Sequence, residues 1–130
     1  MQQTFSKEFK LVSKREIELI FAQKKTINNH PFTFHIRHFE TKHSELKFVT
    51  AAPKRLFKKA HDRNRIKRLM REAIRKNKLS LTQFLELKHL GLHIFAIYRS
   101  EKELSLETIE KSITHIFKKI ENEISKETTI

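Results

Sequence analysis

Between positions 63 and 75 stand Arg63, Arg65, Lys67, Arg68, Arg71 and Arg75, with Asn64 among them. Guanidinium and ammonium groups at neutral pH are neither nucleophiles nor general bases. Their chemistry is the holding of oxyanions, through the bidentate Arg fork or the Lys point charge. At about 100° per residue, with Arg63 as zero, Arg63, Lys67, Arg71, Arg75 and Arg68 fall between about 0° and 140°, and Asn64 sits near 100°. Ile66, Leu69, Met70, Ala73 and Ile74 gather near 300°, so the stretch reads as an amphipathic helix with one cationic face. Arg65 lies behind that face at about 200°. Glu72 is the only acid inside the helix, so acid–base pairs at i, i+4 do not neutralise the arc. Like charges held this close repel one another, and an anionic partner such as the phosphates of RNA or DNA relieves that repulsion.

Other chemistries find few residues. The chain has no cysteine, which excludes disulfides, thiol catalysis and cysteine-ligated zinc. Gly91 is the only glycine, so no glycine-rich phosphate loop or dinucleotide fingerprint can form. Asp62 is the only aspartate, whereas metal-dependent nucleases gather several carboxylates. Asp62 reads as a helix-start residue that caps free N–H groups. His35 and His38, three apart on a strand, point to opposite faces and cannot share an ion. His89 and His93 flank Gly91, read as a turn, with no Cys or Asp near them to complete a metal site. Tyr98 reads as core with its hydroxyl at an edge.

The chain has 130 residues and a formal net charge of +13. That length suits one domain spanning residues 1–130, and that charge points to a polyanionic partner, nucleic acid first. The longest apolar run, Ile94 to Tyr98, is far short of a membrane span of roughly 20 residues. The polar N-terminus lacks the apolar core of a secretory signal, so a cytoplasmic protein is expected.

The elements that must position the cationic face follow from pattern. Ser13, Lys14, Arg15 and Glu16 have the capping-box form, and Ile17, Ile20 and Phe21 recur at helical spacing, predicting a helix over 14–24. Asn28, Asn29, His30 and Pro31 supply turn residues. Strands are predicted over 32–39 and 46–52, joined by a hairpin loop at 40–45, and over 92–99. The basic helix is predicted over 60–76. Residues 79–90 are poorly periodic and stay unassigned. A last helix begins at Ser100 or at Ser105 and carries an apolar stripe of Leu106, Ile109, Ile113, Ile116, Phe117, Ile120 and Ile124, with a disordered tail expected from about residue 122. The order argues for an α/β (α+β) two-layer sandwich over a small mixed sheet.

Arg63-Asn64-Arg65, followed by Lys67-Arg68 and Arg71-Glu72, resembles the signature of the bacterial ribonuclease P protein component. Ile20-Phe21 closing the first helix, the Phe-rich first strand, Lys54-Arg55 before the basic helix and the amphipathic last helix fall in that family's order, and the resemblance covers about residues 5–120. It implies an αβββαβα order with a left-handed crossover, and hence a fourth short strand. It also implies an RNA-binding subunit that assembles with a catalytic RNA, which cleaves the 5′ leader from precursor tRNA. Mg²⁺ would serve that RNA rather than a site on the protein, and no protein partner is implied.

By the same resemblance, Arg63, Asn64, Arg65, Lys67, Arg68 and Arg71 would contact the catalytic RNA, with Arg75 on the same arc. A cleft between the first helix and the sheet would take single-stranded leader. There Phe21 matches a family aromatic, Ile17 stands where Phe is frequent and His35 where some members have Tyr, while Lys54 and Arg55 would reach phosphates from a strand end. Phe21 has an equally open reading as a core residue, and His35 as a surface one. A ribosomal protein or RNA chaperone shares the same charge logic. A protein-only endonuclease is the reading from another class, opposed by the scarcity of Asp.

Overall fold

The computed structural model describes residues 13–128; the polar N-terminus read above lies outside them. The elements are α1 (Lys14–Gln23), β1 (Lys25–Asn29), β2 (Phe32–Glu40), β3 (Glu45–Ala51), α2 (Ala60–Asn77), α3 (Leu79–Lys88), β4 (Leu90–Tyr98) and α4 (Leu106–Thr128). The four strands form one mixed sheet in the order β1-β2-β4-β3, with β4 antiparallel to β2 and parallel to β3. This is the mixed α+β class expected, with one helix more than the anticipated order; β4 lies between β2 and β3, so the loop at 40–45 does not close the hairpin expected there.

Alternation assigns the two faces of the sheet. Phe32, Phe34 and Ile36 of β2, Leu46 and Phe48 of β3, and Leu92, Ile94, Ala96 and Tyr98 of β4 are buried in one core with the inner stripes of α2, α3 and α4. α1 crosses the opposite face, where the Phe21 ring lies over His35 and Phe95. The sandwich is therefore a sheet backed by three helices, with α1 as a partial cover on the second face.

α1 starts where the capping box requires. Glu16 N donates to Ser13 Oγ at 3.1 Å, and Ser13 N donates to Glu16 Oε1 at 2.7 Å. It ends one residue early, with Lys24 left-handed at φ 57°. The fourth strand follows at once: β1 pairs Lys25–Asn29 with residues 32–36 of β2, so Asn28 and Asn29 are strand residues and the turn is only His30 and Pro31. Ile27 is the one buried residue of β1, which leaves no alternation to detect.

The unassigned stretch contains α3, which buries only Leu81 and Leu85. The chain turns at His89, left-handed at φ 57°, and not at Gly91, which is a β4 residue paired with Phe39. Glycine is needed there because a Cβ would lie 2.5 Å from the Phe39 ring. Of the two starts considered for the last helix, Ser105 serves: its Oγ accepts from Thr108 N at 3.2 Å. The tail expected from 122 is instead helix to Thr128, because Ile124 continues the stripe into the core and Glu127 pairs with Lys25 and His38. Asp62 does not cap α2. Lys59 holds the N-cap position without a side-chain bond, and the Asp62 carboxylate turns to His61 and Arg65.

Candidate nucleic-acid interface

Ile66, Met70, Ala73 and Ile74 are buried along the inner side of α2, and this anchors the helix with its opposite side outward. Asn64 and Arg68 are exposed and Lys67 and Arg71 half-buried. Among the described residues, none gives these four side chains a hydrogen bond or ion pair. Arg68, Arg71, Glu72 and Arg75 line a shallow depression, in which Arg75 Nη2 donates to Glu72 Oε2 at 2.7 Å. Arg63 has an internal duty: its Nη1 donates to the carbonyls of Phe57 and Lys58, both at 2.9 Å. That ties the connection carrying Lys54 and Arg55 to the helix start. Both of those cations are exposed, on a turn in which Leu56 N and Phe57 N donate to Pro53 O.

Arg65 stands apart, as its wheel angle implies. Its Nε and Nη2 donate to the two oxygens of Glu103 at 2.7 and 2.8 Å, and Nη2 also donates to Asp62 at 3.0 Å. The hydrogen bonds and charge of Glu103, aided by Asp62, raise its pKa further above the usual range. The site residues gathered from the sequence thus divide into a presented set and one turned aside. Glu103 was not legible, because it lies 38 residues away along the chain.

On the second face of the sheet, Ile17 and Phe21 occupy successive turns of α1. Ile17 is half-buried, whereas Phe21 is 42% exposed, which is too open for a core residue. The Phe21 ring lies 4.6 Å from His35 and 5.3 Å from Phe95. Burial first, and the Arg99 guanidinium second, hold the His35 pKa below its ordinary value. Next along this face Thr33 Oγ1 donates to Asn28 Oδ1 at 2.8 Å and accepts from Arg99 Nε at 3.3 Å. Phe95 belongs to the surface through strand alternation, a signal present in the sequence once the β4 register is known. Arg99, Thr33 and Asn28 carried no local signal.

Among the described residues, one group of carboxylates and imidazole converges: Glu16, Glu45 and His93, with ligand atoms within 4.8 Å of one another. His93 is 2% exposed, and its Nε2–H donates to Glu45 at 2.7 Å while Nδ1 accepts from Arg37 at 3.4 Å. Lys47 Nζ donates to Glu16 at 3.0 Å. Two protein cations already reach these groups and both imidazole nitrogens are engaged, so the set does not fit a divalent ion. His35 and His38 face opposite sides, toward α1 and toward Glu127 respectively. His89, exposed at the end of α3, and the buried His93 fall into no common ligand group.

Fold and site together define a mixed α+β protein with a polycationic helix packed on one face of the sheet and a half-open aromatic surface on the other. The family model for ribonuclease P matches residues 5–121. The ribonuclease P protein component of Legionella pneumophila (strain Lens) is 36% identical over 88 residues, 68% of this chain and 75% of that protein. That of Pseudoalteromonas atlantica is 38% identical over 80 residues, 62% and 65% of the two chains. Among solved structures, the ribonuclease P protein of Thermotoga maritima superposes with a TM-score of 0.66 at 22% identity, covering 85% of this chain and 96% of that one. The Staphylococcus aureus ribonuclease P protein gives 0.63 at 23%, covering 85% and 93%. The chain belongs to the ribonuclease P protein family. No helix among the described residues is long and apolar enough to cross a membrane.

Proposed function

We propose that this protein is the RNA-binding subunit of ribonuclease P, acting in 5′ maturation of tRNA. It assembles with the catalytic RNA through Arg63, Asn64, Lys67, Arg68, Arg71 and Arg75. It holds the 5′ leader of precursor tRNA on the surface of Ile17, Phe21 and His35, with Lys54 and Arg55 meeting leader phosphates. Cleavage and the Mg²⁺ it uses belong to the RNA. The observation that carries this reading is the outward presentation of Asn64, Lys67, Arg68 and Arg71 from one helix face, with no protein partner among the described residues. Such a surface screens phosphates at the close approach that a large folded RNA demands.

The test incubates the purified protein with precursor tRNA and Mg²⁺, with and without the ribonuclease P RNA of the same organism. The expected result is no cleavage by protein alone and enhanced cleavage at the mature 5′ end when protein joins RNA. Cleavage by the protein alone would overturn the proposal in favour of a protein-only nuclease. Absence of any effect in both arms would turn it toward a ribosomal role.

A further inference from the structure

The first turn of α2 lacks a side-chain cap, since Lys59 occupies the N-cap position without one. Yet Arg63, read as meeting RNA, sits on that turn, and Asn64, read likewise, follows it directly. Two arginines secure it instead. Arg63 reaches back to the carbonyls of Phe57 and Lys58, and Arg65 reaches across to Glu103. Glu103 is itself held in place. The hydroxyl of the fully buried Tyr98 donates to Lys102 O at 2.6 Å and accepts from Leu104 N at 3.1 Å, gripping the loop on both sides of Glu103. Ser100 Oγ accepts from Lys102 N at 3.0 Å and tightens the same loop.

We infer that Glu103 is a positioning residue for the RNA-binding face, and that Arg65 acts through it as an internal anchor of α2 and not as a phosphate ligand. The inference rests on the reading of α2 as an RNA-binding surface. Three donor contacts from the Arg65 guanidinium are satisfied by the fork on Glu103 and by Asp62. A phosphate brought to this spot would stand beside two carboxylates, a like-charge arrangement that opposes binding. Isolated surface ion pairs contribute little, but a bidentate Arg–carboxylate pair within a three-residue network is the exception. The anchor fixes the direction in which the neighbouring Arg63 and Asn64 leave the helix.

The experiment measures the affinity of Glu103→Ala, Arg65→Ala and the double variant for the organism's ribonuclease P RNA across a salt series, with thermal melting to confirm that each is folded at the assay temperature. Each single variant is expected to bind roughly three- to tenfold more weakly with the salt slope of the parent, and the double variant to bind no worse than either. The inference is overturned if Arg65→Ala lowers the slope, or if Glu103→Ala tightens binding, since Arg65 would then be a phosphate ligand for which Glu103 competes. Unchanged affinity with a lowered melting temperature overturns it as well, leaving the pair a stabiliser alone. Arg68→Ala is run in parallel: its slope reports on the phosphate face itself, so a failure of that reading is told apart from a failure of this one.

Discussion

Phe21 of α1 and His35 of β2 face each other across the second side of the sheet, ring centroids 4.6 Å apart and 49° between planes. With Phe95 beside them, they present an aromatic surface that any nucleobase can stack on, whatever its hydrogen-bonding edge. Phe21→Ala is therefore expected to weaken binding of a precursor tRNA carrying its leader by roughly five- to a hundredfold, the range for losing one base–aromatic stack. Affinity for mature tRNA with no leader should not change in the same holoenzyme. Equal losses for both substrates would move Phe21 back to a purely structural role.

His35 is expected to titrate below 6.5, as followed by its imidazole proton resonances in NMR. It is then neutral at pH 7 and stacks as an uncharged ring. A His whose folded pKa is depressed leaves the folded state with fewer bound protons than the unfolded one, so its effect is a loss of stability as pH falls below the ordinary value. Arg99→Ala should move the midpoint upward by removing the charge effect, while burial keeps it below 6.5.

RNA affinity should fall by about 10³ between 50 and 200 mM salt if some six phosphates are engaged. Arg68→Ala, whose side chain carries no internal bond among the described residues, should flatten the slope by about one unit, as removal of a single phosphate contact does, without lowering the melting temperature. Unfolding of this variant would place Arg68 on the wrong side of α2.

Glu16 is held at a pKa of about 2 chiefly because it accepts the Ser13 backbone N–H, with the Lys47 ammonium assisting against the cost of burial. A depressed carboxylate stabilises the fold above its unfolded value of 4.5 and loses that effect as pH falls through the folded value. Glu16→Ala should thus melt below the parent at pH 7, and the gap should close between about pH 4.5 and 2. Ser13→Ala removes the other half of the box and should cost about 1 kcal/mol.

Gly91→Ala is expected to destabilise the fold by about 1–3 kcal/mol, the range for overpacking, measured by chemical denaturation. The added Cβ drives the Phe39 ring aside, and that ring lies under the Arg37 guanidinium at 4.4 Å and against His93 at 4.9 Å. In a Phe39→Leu background the same substitution should cost less. An equal cost in both backgrounds would assign the effect to the backbone of β4.

The readability of this chain followed the strength of its local signals. The capping box of α1, the alternation of β2 and the stripe of α2 are each set by neighbours in sequence, and they stand within a residue or so of where they were expected. β1 and α3 were hidden for a physical reason. One buries Ile27 alone and the other Leu81 and Leu85, so both owe their form to partners across the fold. The same division runs through the site. Helix geometry alone set Arg65 apart from the cationic arc, but its carboxylate partner became visible only when the β4–α4 loop was folded against α2. Phe21 could be core or surface until the position of α1 on the sheet decided its exposure.

The ion pair of Glu127 with Lys25 and its hydrogen bond with His38 join the last turn of α4 to the two strands at one side of the sheet. Lys25 and Glu127 stand at nearly opposite ends of the described chain, and Ser112 likewise binds back to Asn29 and His30. These are contacts of high sequence separation, which form only after a large loop has closed and which slow the folding of a domain. β1 holds few buried side chains of its own and takes its packing from α4. The sheet edge at β1 is therefore held by residues from the far end of the chain.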